Sequence, residues 1–112
     1  MIVGQIGNPS YGANARHANF MIVGTLRVRL LIREAHSLKD KRQVVKSIKD
    51  KLRNSFNASV AEIEAQDNRQ LVVLGFAMVS NEAHALKVSL GQIVEALRVH
   101  PVAEMLDYEI EV

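Results

Sequence analysis

The sequence predicts an α/β domain whose strands and helices follow the order βαββαβ within residues 21–112. Three observations support this prediction. Apolar and polar residues alternate in three segments, and a fourth segment is apolar on both faces. Two further segments repeat their apolar residues with the period of a helix. Ser37 is placed to begin the first helix, and Pro101 is placed to end the second.

The first predicted strand starts at Ile22 and has one apolar face and one basic face. Its apolar residues alternate with Arg27 and Arg29, as the two faces of a strand require. A helix follows, with Ser37 as its N-cap and Asp40 three residues later in the manner of a capping box. This helix extends to about Ser55 and buries one stripe, formed by Val44, Val45, Ile48 and Leu52.

The second half of the domain repeats this plan. Residues 57–65 are predicted to form a strand, and residues 71–79, after a turn at 66–68, form another. We expect Ser80 or Asn81 to cap the second helix, whose buried stripe is Ala83, Leu86, Leu90, Ile93 and Leu97. Residues 102–112 form the last strand, and its helix-facing side chains are predicted to be Leu106, Tyr108 and Ile110.

This order of elements is most simply folded as a ferredoxin-like sandwich, in which two helices cover one face of an antiparallel four-stranded sheet. The strand order would then be 4-1-3-2, so the first and last strands are neighbours. Arg27 and Arg29 would lie on the open face of the sheet. There they would be largely neutralised by the acidic side chains of the last strand, Asp107, Glu109 and Glu111.

Composition excludes several classes of function. The chain of 112 residues is long enough for one domain, and it contains no cysteine, so disulfides and thiolate chemistry are excluded. It lacks a bilayer-spanning apolar run and a signal peptide, and it is expected to be cytoplasmic. It also lacks glycine-rich phosphate loops and a spacing of histidines that would bind a metal. We therefore expect no cofactor, no metal, no membrane partner and no enzymatic activity.

Residues 1–20 are expected to be a flexible lead-in, because they contain glycine, proline and asparagine without a regular period. The tetrapeptide at positions 1–4 recurs at positions 21–24. The simplest explanation is an upstream start codon or an expression artefact, and the alternative is an additional strand or arm.

Charge is distributed unevenly along the chain. Residues 27–53 hold ten basic and three acidic side chains, whereas residues 54–112 hold three basic and nine acidic ones. On the first helix a row of cations without a carboxylate inside it is predicted to contact the phosphates of RNA; the row is Lys39, Arg42, Lys46, Lys49 and Arg53. The alternative is that these side chains only solvate an exposed helix face.

The start of the same helix is a second candidate site. Cations in the first turns of a helix are disfavoured by its dipole, and an anion bound at the free N–H groups would offset that cost. The residues predicted to hold this anion are His36, Ser37, Lys39, Lys41 and Arg42.

The third strand suggests a further interaction. Its alternate residues form two apolar sets, Val72, Leu74, Phe76 and Met78 on one side and Leu71, Val73, Ala77 and Val79 on the other. One set would cover the helices, and the other would form an apolar patch on the open sheet face, which predicts a homodimer through the sheet. The alternative is that Arg27 and Arg29 shield the patch. Phe76 is predicted to lie in the core, so the sheet would lack the stacking aromatics of RRM-type RNA binders.

Several segments of the chain resemble the YlxP family of small bacterial proteins; they are MIVG at 21–24, AHSLKDKR at 35–42, VVKS at 44–47, Arg53 with Phe56-Asn57, VAE at 60–62 and LDYE at 106–109. The resemblance covers residues 21–112. It implies a ferredoxin-like fold and a natural start at Met21. The genes of this family often lie among those for transcription elongation, translation initiation and ribosome maturation factors, which implies an accessory role near RNA or the ribosome.

The leading hypothesis is thus a non-enzymatic accessory module that binds RNA or the ribosome through its basic helix. The alternative is a homo-oligomeric ligand-sensing or protein-interaction domain with a small-anion site at the start of that helix. An acylphosphatase-like enzyme with Arg33 as its phosphate clamp is a third possibility, but the chain lacks the expected glycine-rich loop.

Overall fold

Residues 21–112 are described by the structure, a computed structural model, and they contain four strands and two helices. In chain order these are β1 (Ile22–Leu31), α1 (Leu38–Ser55), β2 (Ser59–Glu64), β3 (Leu71–Ser80), α2 (Ala83–Arg98) and β4 (Glu104–Glu111). The predicted order βαββαβ is confirmed. The predicted lead-in at residues 1–20 lies outside the described residues.

The strands form one antiparallel sheet in the order β2-β3-β1-β4. This is the predicted ferredoxin-like topology. β1 and β3 pair along their full length, from Ile22 opposite Ser80 to Leu31 opposite Leu71. Both helices cover the same face: α2 packs on β1, β3 and β4, and α1 packs on the β2 side. Within residues 21–112 no helix covers the other face of the sheet, which we call the open face, as expected for a two-layer sandwich.

The core lies between the sheet and the helices. Leu26, Val28 and Leu30 of β1 are at most 1% exposed, and Phe76 of β3 is 2% exposed, so the prediction that Phe76 is a core residue is confirmed. Leucine, isoleucine and valine side chains from α1, α2 and β3 complete the same cluster. Each fully buried side chain of this size stabilises the fold by about 1.5–3 kcal/mol, which makes this layer the main source of stability.

The two helices begin differently. Ser37 is the N-cap of α1, and its Oγ accepts a hydrogen bond from the N–H of Asp40 at 3.1 Å. The predicted N-cap is therefore confirmed. The Asp40 carboxylate accepts a hydrogen bond at 3.2 Å from the N–H of His36, the residue before the N-cap, so the return bond of the predicted capping box is displaced by one residue. For α2 the predicted cap was wrong, because its N-cap is Glu82, without a side-chain hydrogen bond. Ser80 instead ends β3, and its Oγ accepts from the N–H of Glu82 at 3.2 Å.

A bulge in β4 changes the faces of its side chains. Arg29 pairs with Asp107, but the next residue, Leu30, pairs with Met105. The extra residue is Leu106, which is 40% exposed, and Met105 packs against the core in its place. The prediction that Leu106 faces the helices was therefore wrong. A bulge inserts one residue into the alternation, and the sequence pattern gave no sign of it.

Candidate functional site

The basic row of α1, defined as Lys39, Arg42, Lys46, Lys49 and Arg53, lies along one flank of the helix. The buried residues of α1 include Val45, Ile48 and Leu52, and a helical period places Lys49 nearest to them and Lys39 farthest away. Its members rise along the axis in steps of three or four residues, so the row is about 21 Å long. Four of its five side chains are exposed and Lys49 is partly buried.

One carboxylate lies beside the row, contrary to the prediction. Lys46 Nζ is 2.8 Å from Asp50 Oδ2, four residues along the helix, and Arg53 Nη1 is 4.0 Å from Asp50 Oδ1. The hydrogen bond from Lys46 is the main reason that the pKa of Asp50 lies below its usual range. Such an exposed pair contributes little to stability, so Lys46 can exchange Asp50 for another anion at little cost.

Arg53 has a second role that the sequence did not indicate. Its Nη2 donates a hydrogen bond to the carbonyl oxygen of Val60 at 2.9 Å. This contact ties the last turn of α1 to the edge strand β2. Arg53 is therefore partly structural, whereas Lys39, Arg42 and Lys49 have no hydrogen-bond or ion-pair partner for their side chains among residues 21–112.

Lys41 does not belong to the surface that the sequence predicted for it. It is 0% exposed, and its Nζ donates to the carbonyl oxygens of Ala65 at 2.6 Å and Asn68 at 2.7 Å. The same Nζ lies 2.9 Å from Glu62 Oε2 and forms an ion pair with it. The ammonium group thus donates two hydrogen bonds to the loop between β2 and β3, and the Glu62 carboxylate of β2 is held beside it by charge, since Glu62 Oε2 accepts no hydrogen bond among the described residues.

The sequence did carry a signal for this placement. Lys41 precedes Val45 by four residues and Ile48 by seven, so a helical wheel puts it on the apolar face. The assignment of Lys41 to an anion site at the helix start is therefore corrected: it fastens the loop at 65–70 to α1.

The other residues of the predicted anion site differ in their availability to a ligand. The Asp40 carboxylate accepts a hydrogen bond from the N–H of His36, and Ser37 Oγ accepts one from the N–H of Asp40. These two N–H groups are therefore not free to bind an anion. Lys39 and Arg42 are exposed nearby. His36 also borders a polar cavity of about 520 Å³, whose other lining residues are Ala35, Asp67, Asn68, Arg69 and Gln70. Arg69 was missed because only the fold brings its loop to the start of α1.

The open face of the sheet is acidic. Arg29 Nη1 is 3.5 Å from Asp107 Oδ2, as the strand order led us to expect. Arg27 stands opposite Glu109 in the register, but its ion pair is with Glu64 of β2. Glu109 and Glu111 consequently have no hydrogen-bond or ion-pair partner for their side chains within residues 21–112. The sheet face and α1 therefore carry opposite charge on opposite sides of the domain.

The apolar residues of this face fall into two groups. Val73 is 2% exposed and lies between Arg29 and Glu64 in the register, in agreement with the shielding alternative. Val23 and Val79, which face each other at the other end of the sheet, are 52% and 65% exposed. Between these groups is a depression of about 460 Å³, whose lining includes Thr25, Ala61, Gly75, Ala77, Glu109 and Glu111.

The remaining candidate residues are separate from α1. Arg33 Nε donates to Glu104 Oε2 at 2.7 Å, so the proposed phosphate clamp is engaged in an exposed ion pair. Within residues 21–112 no three His, Asp or Glu side chains are grouped closely enough to hold a metal ion. In the same range, neither helix has the length and apolar character needed to cross a membrane.

Comparison with known proteins agrees with the resemblance found in the sequence. The family model described as "Protein of unknown function (DUF503)" matches residues 23–110. The chain is also 32% identical over 83 residues to "Uncharacterized protein YlxP" of Bacillus subtilis (strain 168), and the alignment covers 74% of this chain and 90% of that protein. Both matches include α1 and the loop that Lys41 holds. This protein therefore belongs to the DUF503 family, whose function is unknown.

Proposed function

We propose that the protein is a non-enzymatic cytoplasmic accessory module that binds RNA, including the RNA of the ribosome, through the basic row of α1. The observation that carries this proposal is the concentration of unpaired positive charge on one helix face. Apart from Lys41, α1 has six basic and two acidic side chains, a net charge of +4. Three members of the row have no side-chain partner among the described residues.

The charge of the opposite face supports the same orientation. Glu109 and Glu111 project from the open sheet face, where they would repel a phosphate backbone. An RNA approaching the domain is therefore attracted by the helix layer and repelled by the sheet layer, since the fields of grouped charges steer association. Binding through such a row depends on phosphate contacts and on the release of condensed cations, so it weakens steeply as salt is added.

Removing two unpaired cations from the row is expected to weaken RNA binding. The variant Arg42→Gln/Lys49→Gln should lose roughly tenfold or more in affinity for ribosomal RNA at about 50 mM salt. The slope of log affinity against log salt should fall by about 2, because two phosphate contacts are lost. Fluorescence anisotropy with labelled ribosomal RNA fragments measures both quantities. Arg53 is left intact because it also holds β2 through Val60.

A matched control separates the row from overall charge. Lys51→Gln/Lys87→Gln removes the same number of charges from exposed positions outside the row, on α1 and α2. Lys51 lies on another flank of α1, near His100, whose pKa is lowered by partial burial and, to a smaller extent, by this lysine. The control should retain most of the affinity and of the salt slope. Equal losses in the two variants, or no binding by the unaltered protein, would refute the proposal.

A second candidate function is a homo-oligomeric interaction domain that associates through the open sheet face. The exposed Val23–Val79 pair beside a depression lined by small residues favours it. Sedimentation velocity should then show a dimer that Val79→Lys converts to a monomer, since a buried charge opposes association. A monomer at all concentrations would exclude this candidate.

A further inference from the structure

We infer that the RNA bound by the basic row is double-helical and that it is bound through its phosphate backbone without reading of the bases. This inference rests on the proposed function and specifies its ligand. It follows from what surrounds the row, from the shape of the surface that carries it, and from the rigidity of α1.

Among residues 21–112, no aromatic platform lies beside the row. Proteins that bind single-stranded RNA stack its bases on exposed aromatic rings, at about 1–3 kcal/mol for each base. Within residues 21–112, Phe76 is 2% exposed and Phe56 is partly buried against the core. Tyr108 lies on the edge strand β4, under the guanidinium of Arg98 at 6.0 Å. Tyr108 is 47% exposed, but β4 is the edge of the sheet opposite β2, on which α1 packs, so this ring is far from a base held at α1.

The described part of the chain shows no cavity along the basic row that would hold a single strand. Such strands usually follow a positively charged channel. The two cavities described above lie on the open sheet face and between the loops at 35–36 and 67–70, and no member of the basic row lines either of them. The cavity on the sheet face has Glu109 and Glu111 at its border, which disfavours a phosphate backbone. The cations of the row thus lie on the outer surface of a helix, where they can contact phosphates on the outside of an RNA.

The rigidity of the row favours a rigid partner. α1 is an uninterrupted helix of 18 residues, and it fixes its cations at intervals of about 4.5–6 Å along the axis. A double helix presents its phosphates in fixed positions and at twice the linear density of one strand. A flexible single strand would have to be ordered to match the row, and that ordering costs free energy. A double helix is recognised largely by its shape and backbone.

Competing RNA probes test this inference. Anisotropy would compare an RNA duplex of about 20 base pairs, long enough for the span of a typical duplex-binding domain, with oligouridine of the same length. At about 50 mM salt the duplex is expected to bind roughly tenfold more tightly. A duplex of scrambled sequence should bind within about twofold of the first, because phosphate contacts carry no sequence information. The Arg42→Gln/Lys49→Gln variant should lose duplex binding, and Lys51→Gln/Lys87→Gln should keep it.

The outcomes distinguish this inference from the function on which it rests. Oligouridine binding as tight as duplex binding, with the same dependence on Arg42 and Lys49, overturns the inference and leaves the proposed function standing. A strong preference between the two duplex sequences also overturns it, because the bases would then be read. Absence of binding to the duplexes, to oligouridine and to ribosomal RNA overturns both.

Discussion

Replacing Lys41 with methionine is expected to lower the free energy of unfolding by about 3–5 kcal/mol. Methionine can fill the volume of the lysine stem, but it leaves the Glu62 carboxylate and the carbonyl oxygens of Ala65 and Asn68 without their cation. An uncompensated buried charge is costly because it has lost its hydration and has no partner in exchange. Urea unfolding at neutral pH, followed by circular dichroism, measures this change.

Two further variants show whether the buried position is the cause. Lys51→Met alters an exposed lysine of the same helix, and its effect should stay within about 0.5 kcal/mol. Lys41→Met/Glu62→Leu removes both charges of the pair and should recover much of the lost stability, because apolar replacements of buried ion pairs are often tolerated. A cost below about 1 kcal/mol for Lys41→Met alone would show that its ammonium is not held by these three oxygens.

Replacing Gly24 of β1 with valine is also expected to lower the free energy of unfolding, by about 1–3 kcal/mol. A Cβ at this position would stand 3.0 Å from Cδ1 of Leu90 and 3.3 Å from Cβ of Leu86. The second contact is with a Cβ, which cannot rotate away as the end of a side chain can, so α2 must give way by a few tenths of an ångström. Valine is otherwise favoured in strands, and a net loss of stability would therefore show that the close approach of α2 to β1 dominates.

Gly91 provides the matched control for this prediction. It lies within α2, and a Cβ built there meets nothing within 4 Å. Gly91→Ala should raise stability by roughly 0.5–1 kcal/mol, because glycine loses more backbone freedom than alanine when a helix forms. The midpoint of urea unfolding should thus move in opposite directions for the two glycines. A destabilised Gly91→Ala variant, or a Gly24→Val variant as stable as the parent, would contradict this account of the α2–β1 interface.

The strand order and the helix layer were predictable because they follow from local patterns. Alternation in β1 correctly placed Leu26 on the covered face and Arg27 on the open face, since successive strand residues point in opposite directions. Ser37 marked the start of α1 for an equally local reason, as its hydroxyl satisfies an N–H only three residues away. These features depend on residues close in sequence, and a single chain displays them.

Register and long-range pairing were not predictable in the same way. The bulge at Leu106 depends on how β4 pairs with β1. Arg27 forms its ion pair with Glu64 of β2 and not with Glu109 of β4, and these two strands lie at opposite edges of the sheet. Each involves competing contacts between strands, and a cross-strand pair contributes only about 0.2–1 kcal/mol. The sequence specifies the possible cross-strand partners, and only the assembled sheet determines which of them pair.

The sequence alone determined the βαββαβ fold of residues 21–112, the buried stripes of both helices and the basic character of α1. The tertiary structure decided which of those cations are free. It buried Lys41 against Glu62 and tied Arg53 to β2, while it left Lys39, Arg42 and Lys49 on an open helix face. The physical reason is that charge is fixed by residue type, whereas its availability to a ligand depends on which oxygens the fold brings within reach.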